Sequence, residues 1–342
     1  MRVHIRTAAV LVLAAAMVVW FLRGADLRAV WTEIQGGNLW LLILAVGVTC
    51  VTYLLRAVRW AYLLRPLGRP PFFEVFKTTV IGFAVSTMLP ARAGEVVRPY
   101  LLAKRAGFSA TSAFATIVLE RLLDLITVLL LFGFYLLFYN PVAASGHAAV
   151  FTALKSGGLL AAAGSIGGLI VMMVLAGHPE ALATWALKIE RVVPARVAAT
   201  IAKLVRTFLE GLAIVRQPRR LAMALLLSLP VWLAIAGPIY LGSRAFHIDM
   251  SYPGAFLMMA ILVVGVAVPT PGSVGGYHKA YQIGAVAFFG VANDRAVGAA
   301  VVLHAISFLP VTIAGVIFLA QEGLSLAGLR GLASSGPPGD AP

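Results

Sequence analysis

Cysteine occurs once, as Cys50. A lone thiol excludes a disulfide scaffold, and six scattered histidines add no metal-ligand spacing, so no metal site and no cofactor are expected. Charge is scarce too: Asp, Glu, Lys and Arg make up 12% of the 342 residues, about half the share in soluble domains. No Walker A loop and no H-E-x-x-H pair occur, so neither ATP-driven transport nor zincin chemistry has support. Gly272, Gly275 and Gly276 follow no strand, so a dinucleotide fingerprint fails on context. Apolar residues fill the space these absences leave, at 61% of the chain with a mean hydropathy of +0.95. Packed in water, such a chain would leave apolar surface uncovered. A polytopic all-α integral membrane protein is the class that fits, and disordered or collagen-like chains are excluded.

Basic residues outnumber acidic ones by 27 to 13, a net charge of +14. In a membrane protein the first reading of that surplus is basic residues gathered on cytoplasmic loops, the remainder facing anionic headgroups. No nucleic-acid module is present.

Hydropathy and charge place about six full spans and two re-entrant helical hairpins along the chain. A basic start and an apolar run over 7–22 read as a retained first helix with its N-terminus in the cytoplasm. Residues 26–35 read as an amphipathic surface helix. A span over 38–55 exits into Arg56, Arg59, Arg65 and Arg69, with Arg56, Arg59 and Trp60 expected as an interfacial anchor or a headgroup contact. If 73–89 crossed fully, the basic stretch that follows would sit outside. A hairpin entering and leaving from the cytoplasm removes that conflict, and 90–98 then lines a cavity, because broken backbone at membrane depth needs cover.

The remaining spans are 109–139, 152–176, 221–242 and 296–320. A loop at 140–149 is expected outside, and 179–216 is expected as a charged cytoplasmic segment. Residues 256–268 and 281–290 flank Pro269-Thr-Pro-Gly-Ser-Val-Gly-Gly276 and read as a second hairpin, from outside. The C-terminus falls in the cytoplasm, and 323–342 reads as a disordered tail rich in Gly, Ser and Pro.

The halves, about 1–139 and 151–320, form a candidate inverted repeat. Pro90 and Gly94, then Gly107, then Glu120 and Asp124 align with Pro271 and Gly275, then Gly290, then His304 and Ser307, allowing a two-residue gap. Inverted repeats with broken helices at the midplane are a transporter architecture, with substrate bound between the repeats.

Glu120 falls about 16 Å along its helix at 1.5 Å per residue, near the middle of a core about 30 Å thick. Arg121 and Asp124 sit beside it. A charge there costs between about 2.5 and 17 kcal/mol, depending on the method. Glu120 and Asp124 share one helix face and repel, so a cation must stand between them, and Arg92 or Arg98 is the candidate. Two readings stand: a buried site that meets a charged headgroup or couples to protons, or an ionic strut. Glu95, on a Gly-flanked turn, follows the same logic or caps a half-helix. His304 and His278 are open between packing and function.

Taken in order, Arg56-Ala-Val-Arg59-Trp60, Pro90-Ala-Arg92-Ala-Gly94-Glu95 with Arg98, Glu120-Arg121-Leu-Leu-Asp124 and Pro269-Thr-Pro271-Gly272-Ser-Val-Gly275-Gly276 resemble the transmembrane flippase-like domain of lysylphosphatidylglycerol synthases and its stand-alone relatives. The resemblance covers roughly residues 1–322 as a single domain, and implies lipid movement between leaflets. Synthases of that family carry a soluble aminoacyl-transferase domain that this chain lacks, so lipid aminoacylation by this polypeptide is not expected. Relatives often carry a glutamate after the second-hairpin glycines, where this chain has Tyr277-His278-Lys279, so no role is carried over to that position.

The function expected is translocation or binding of a polar lipid across the cell membrane, an anionic phospholipid or a polyprenyl-phosphate lipid. Arg92, Arg98 and Arg121 would meet phosphate; Glu95, Glu120 and Asp124 would hold them, with His304 in the second half. Pro90, Gly94, Pro271, Gly272, Gly275 and Gly276 would shape the hairpins. The rivals are a membrane enzyme with Glu120 or Asp124 as general base, which no nucleophile or metal cluster accompanies, and a non-catalytic partner of an envelope lipid or glycan enzyme, docking through 179–216.

Overall fold

A computed structural model describes residues 2–89, 92–139, 148–178, 195–268 and 270–323. Among these, all regular structure is helical, as a chain without water around its backbone requires. The helices are α1 (Arg2–Leu22), α2 (Leu27–Gln35), α3 (Leu39–Leu63), α4 (Phe72–Met88), α5 (Gly94–Ala106), α6 (Ala110–Phe138), α7 (Ala148–Gly177), α8 (Ala195–Gly211), α9 (Pro218–Ala245), α10 (Gly254–Ala267), α11 (Gly276–Phe289) and α12 (Asn293–Gln321). Among the described residues five helices are long and apolar enough to cross a membrane: α3, α6, α7 from Thr152, α9 and α12. With 21 residues, α1 has the length for a sixth.

The two expected hairpins are present as α4–α5 and α10–α11. Their arms have 17, 13, 14 and 14 residues, or about 20–26 Å at 1.5 Å per residue, short of a core about 30 Å thick. Each hairpin closes on a glycine crossing. A Cβ on Gly94 would fall on the Gly82 carbonyl oxygen, and one on Gly276 would overlap that of Gly265. Each hairpin also stops on a left-handed glycine, Gly107 (φ +71°) and Gly290 (φ +62°), where a residue without Cβ is unstrained.

Element order repeats: span, amphipathic helix, span, hairpin, span. Packing follows the same relation, for α2 of the first half lies on α12 of the second, while α8 of the second lies on α6 of the first. Helices α3 and α9 pack together at the centre. Such an exchange is what a two-fold relation between halves produces.

The structure revises several boundaries. Helix α3 runs to Leu63 rather than ending at Leu55, so Arg56, Arg59 and Trp60 are not a surface anchor: Arg59 and Trp60 are fully buried inside the bundle. Burying those groups is tolerable because each has a polar partner on α6. The counterpart of Gly94 in packing is Gly276, not Gly275; the latter has φ +84°, and a Cβ there would strike Met17 of α1. Helix α11 begins at Gly276 instead of residue 281, so Tyr277, His278 and Lys279 form its first turn. Pro90, Pro269, 140–147, 179–194 and the tail 324–342 lie outside the described residues.

Candidate functional site

Three elements meet at the charged centre. Helix α6 presents Glu120, Arg121 and Asp124 about 15–21 Å from its start. The first turns of α5 present Glu95 and Arg98, and the last two turns of α3 present Arg56 and Arg59. The crossing at Gly82 and Gly94 makes this convergence possible: with no side chain between the hairpin arms, the side chain of Arg98 lies across α4 towards α6, its Cβ against Gly82.

The cation between the two α6 carboxylates is Arg59. Its Nη1 donates to Asp124 Oδ1 at 2.6 Å and to Ser228 Oγ at 3.0 Å, while its Nη2 lies 3.4 Å from Glu120 Oε1. Arg98 Nη1 donates to the same Glu120 oxygen at 3.1 Å, and Arg121 is hydrogen-bonded to it as well. Arg121 Nη2 also lies 3.1 Å from Asp124 Oδ2. From the second half, Trp232 Nε1 donates to Asp124 Oδ1 at 2.8 Å. Arg98 stacks over Trp60 at 3.8 Å, and the Trp60 indole N–H is held by Thr116 Oγ1 at 2.9 Å. Glu120 is wholly buried and Asp124 is 5% exposed. Removing either partner from such a pair leaves a naked buried charge, which is far costlier than the pair itself.

Around this centre the grip loosens. Arg121 Nη1 and Arg92 Nη1 lie 3.8 and 3.9 Å from Glu95 Oε1. Arg92, with φ +53°, does not reach Glu120 or Asp124; its Nη2 donates to the Val266 carbonyl at 3.2 Å and ties the first hairpin to the second. Arg56 has no carboxylate partner among the described residues and lies over the Phe83 ring at 4.8 Å. Buried N–H groups without a hydrogen-bond partner are Arg56 Nη1, Arg59 Nε and Nη2, Arg98 Nε and Nη2, and Arg121 Nε.

A cavity of about 500 Å³ opens beside the centre, walled by both hairpins and by α3, α6, α9 and α12. Arg56, Arg92, Glu95, Arg98, Arg121 and Asp124 form its polar side; Ile235, Ile239, Leu262, Val263 and Val266 are among its apolar lining. Gly272 and Tyr277 bring the second hairpin to its edge, beside Pro271 at the start of a short turn.

Of the residues singled out from sequence, Arg98, Glu120, Arg121 and Asp124 come together, Glu95 and Arg92 sit at the rim, and His304 stands apart. His304 Nε2 donates to the Gly272 carbonyl at 2.7 Å, and its ring lies 4.3 Å from that of His278, whose Nδ1 accepts from Gly275 N–H at 3.3 Å. Arg56, Arg59, Trp60 and Trp232 are site residues that sequence reasoning put elsewhere or passed over. A signal for the arginines was present: Arg56, Arg59 and Leu63 keep helical spacing with apolar residues between them, so the helix had no reason to stop at 55. No group of His, Cys, Asp or Glu among the described residues has the arrangement of a metal site.

The family model described as the lysylphosphatidylglycerol synthase TM region matches residues 7–315. The chain belongs to that family and is a multi-pass membrane protein. Over 114 residues, 33% of this chain, it is 32% identical to glycosyltransferase AglD of Haloferax volcanii, and that stretch is 18% of AglD's length.

Proposed function

We propose that this member of the lysylphosphatidylglycerol synthase transmembrane family binds a phosphate-bearing lipid in the cavity between its hairpins and moves it across the cell membrane. The observation that carries the reading is the cavity wall: four arginines against two carboxylates on one side, aliphatic side chains on the other, both halves of the molecule contributing. A planar guanidinium presents paired donors that match phosphate oxygens, and the aliphatic side suits the first carbons of a chain. Arg56, Arg92, Arg98 and Arg121 would meet the headgroup. Glu95, Glu120 and Asp124 would orient those arginines.

The family description and the relative's name both point to membrane lipid or glycan biosynthesis, and a separate enzyme acting on the same lipid would be the natural partner. The basic residues around Arg65, Arg69 and Lys104 support a cytoplasmic setting for that end of the bundle by the positive-inside rule, and with it cytoplasmic termini.

The test uses purified protein in vesicles with labelled phosphatidylglycerol or polyprenyl phosphate on one leaflet. The wild type is expected to equilibrate at least one of them between leaflets. Arg56→Gln, which breaks no ion pair, is expected to stay folded and to lose that movement. Lipids that stay where they were placed, with and without a proton gradient, would remove the transport reading.

A further inference from the structure

The charges around the cavity do not cancel. On its wall Arg56, Arg92, Arg98 and Arg121 face Glu95 and Asp124. Behind the wall, Arg59 and Glu120 offset one another at 3.4 Å. Two positive charges remain at the cavity, and an uncompensated charge at membrane depth is costly. A second, independent observation has the same direction. Arg98, 3% exposed, keeps Nε and Nη2 without a hydrogen-bond partner, as do Arg56 Nη1 and Arg121 Nε. These outnumber the wall's carboxylate oxygen without such a partner, Asp124 Oδ2, so three helices carry unmet donors on residues that line one cavity.

A phosphodiester headgroup brings one negative charge and two free oxygens. A terminal phosphomonoester brings close to two charges and three strong acceptors near neutral pH. The second matches both the surplus charge and the spread of donors over α3, α5 and α6. We infer that the cavity selects a lipid ending in a dianionic phosphomonoester over one with a phosphodiester headgroup. This rests on the reading that the cavity binds a lipid phosphate and adds which phosphate it is.

The selectivity is expected to depend on pH, through the ligand. The ionisable groups on the wall are Tyr53 and Arg56 of α3, Arg92, Glu95 and Arg98 of the first hairpin, Arg121 and Asp124 of α6, and Tyr277 of α11. The lining of α4, α9, α10 and α12 adds none, and none of the wall groups is a histidine. A phosphomonoester takes up a proton as pH falls through about 6, whereas a phosphodiester keeps its charge.

The full chain in phosphatidylcholine nanodiscs, titrated with phosphatidic acid, phosphatidylglycerol and inorganic phosphate, tests this by native mass spectrometry and ligand-dependent melting. At about pH 8, phosphatidic acid is expected to bind at least about tenfold more tightly than phosphatidylglycerol, with the preference shrinking severalfold at about pH 5. Arg56→Gln, one charge fewer on the wall, should weaken phosphatidic acid more than phosphatidylglycerol. Equal affinities at pH 8, or a preference indifferent to pH, would overturn the inference while leaving a lipid-phosphate site standing. Inorganic phosphate competing as well as phosphatidic acid would overturn its lipid part. Binding of none of the three would remove the underlying reading as well.

Discussion

In the first hairpin, the crossing of Gly82 and Gly94 delivers Glu95 and Arg98 to a helix that carries Glu120, Arg121 and Asp124. In the second, the crossing of Gly265 and Gly276 places Tyr277 and His278 beside a helix that carries His304 and Ser307 at the matching depth. Backbone design is shared: short arms, a glycine contact, a left-handed glycine at the end. The side chains diverge completely. One half concentrates full charges, and the other satisfies its loop with imidazoles, one donating to the Gly272 carbonyl and one accepting from Gly275 N–H. Architecture can therefore be duplicated while full charge is concentrated in one copy, the other forming a wall tied to the first through Arg92 and the Val266 carbonyl.

The comparison breaks first at the glycines. Gly94→Ala has no way to fit, since the new methyl would overlap a backbone oxygen, and its cost should exceed the roughly 1–3 kcal/mol of ordinary overpacking. Gly276→Ala should be damaging but milder, the overlap there being less deep. Yield of monodisperse protein and melting in detergent would rank the two, and a Gly94→Ala variant as stable as wild type would contradict the crossing.

Next comes charge against imidazole. Arg59→Leu strips Asp124 and Glu120 of a shared partner and should cost about 3–5 kcal/mol. His304→Leu leaves only the Gly272 carbonyl unpaired, for about 1–3 kcal/mol. Denaturant melts of both would sharpen the contrast, and a reversed order would mean that the second hairpin carries the greater stability.

Arg56→Gln sharpens it further, because this arginine stacks on Phe83 without an ion pair. Its effect on stability should stay within about 1–2 kcal/mol, while lipid movement falls to background. A variant that melts normally and still moves lipid would assign the arginines to structure alone. The smallest effect belongs to Arg244→Ala: its partner Asp249 is fully exposed, so melting should not move measurably.

Much of this molecule was legible before any coordinates. Apolar runs of span length, charge on the flanks and two Pro/Gly breaks in short apolar stretches were enough to place the five long spans and two hairpins. The repulsion of Glu120 and Asp124 on one helix face demanded a cation. Which cation was not legible. Arg59 is 65 residues from Asp124, and hydropathy read along the chain treats any cluster of arginines after an apolar run as an exit from the membrane. The same limit hid Trp232, whose indole reaches Asp124 across 108 residues of sequence.

The sequence alone thus determined that the chain is helical, spans a membrane, breaks twice and buries carboxylates. Each of those follows from local composition weighed against a solvent that accepts neither charge nor unpaired backbone. Only the tertiary structure decided which arginines are neutralised and which are left over. That balance depends on distances between α3, α5, α6 and α9, and it is the surplus of Arg56, Arg92, Arg98 and Arg121 over Glu95 and Asp124 on the cavity wall that separates a salt-bridged core from the site proposed for a lipid phosphate.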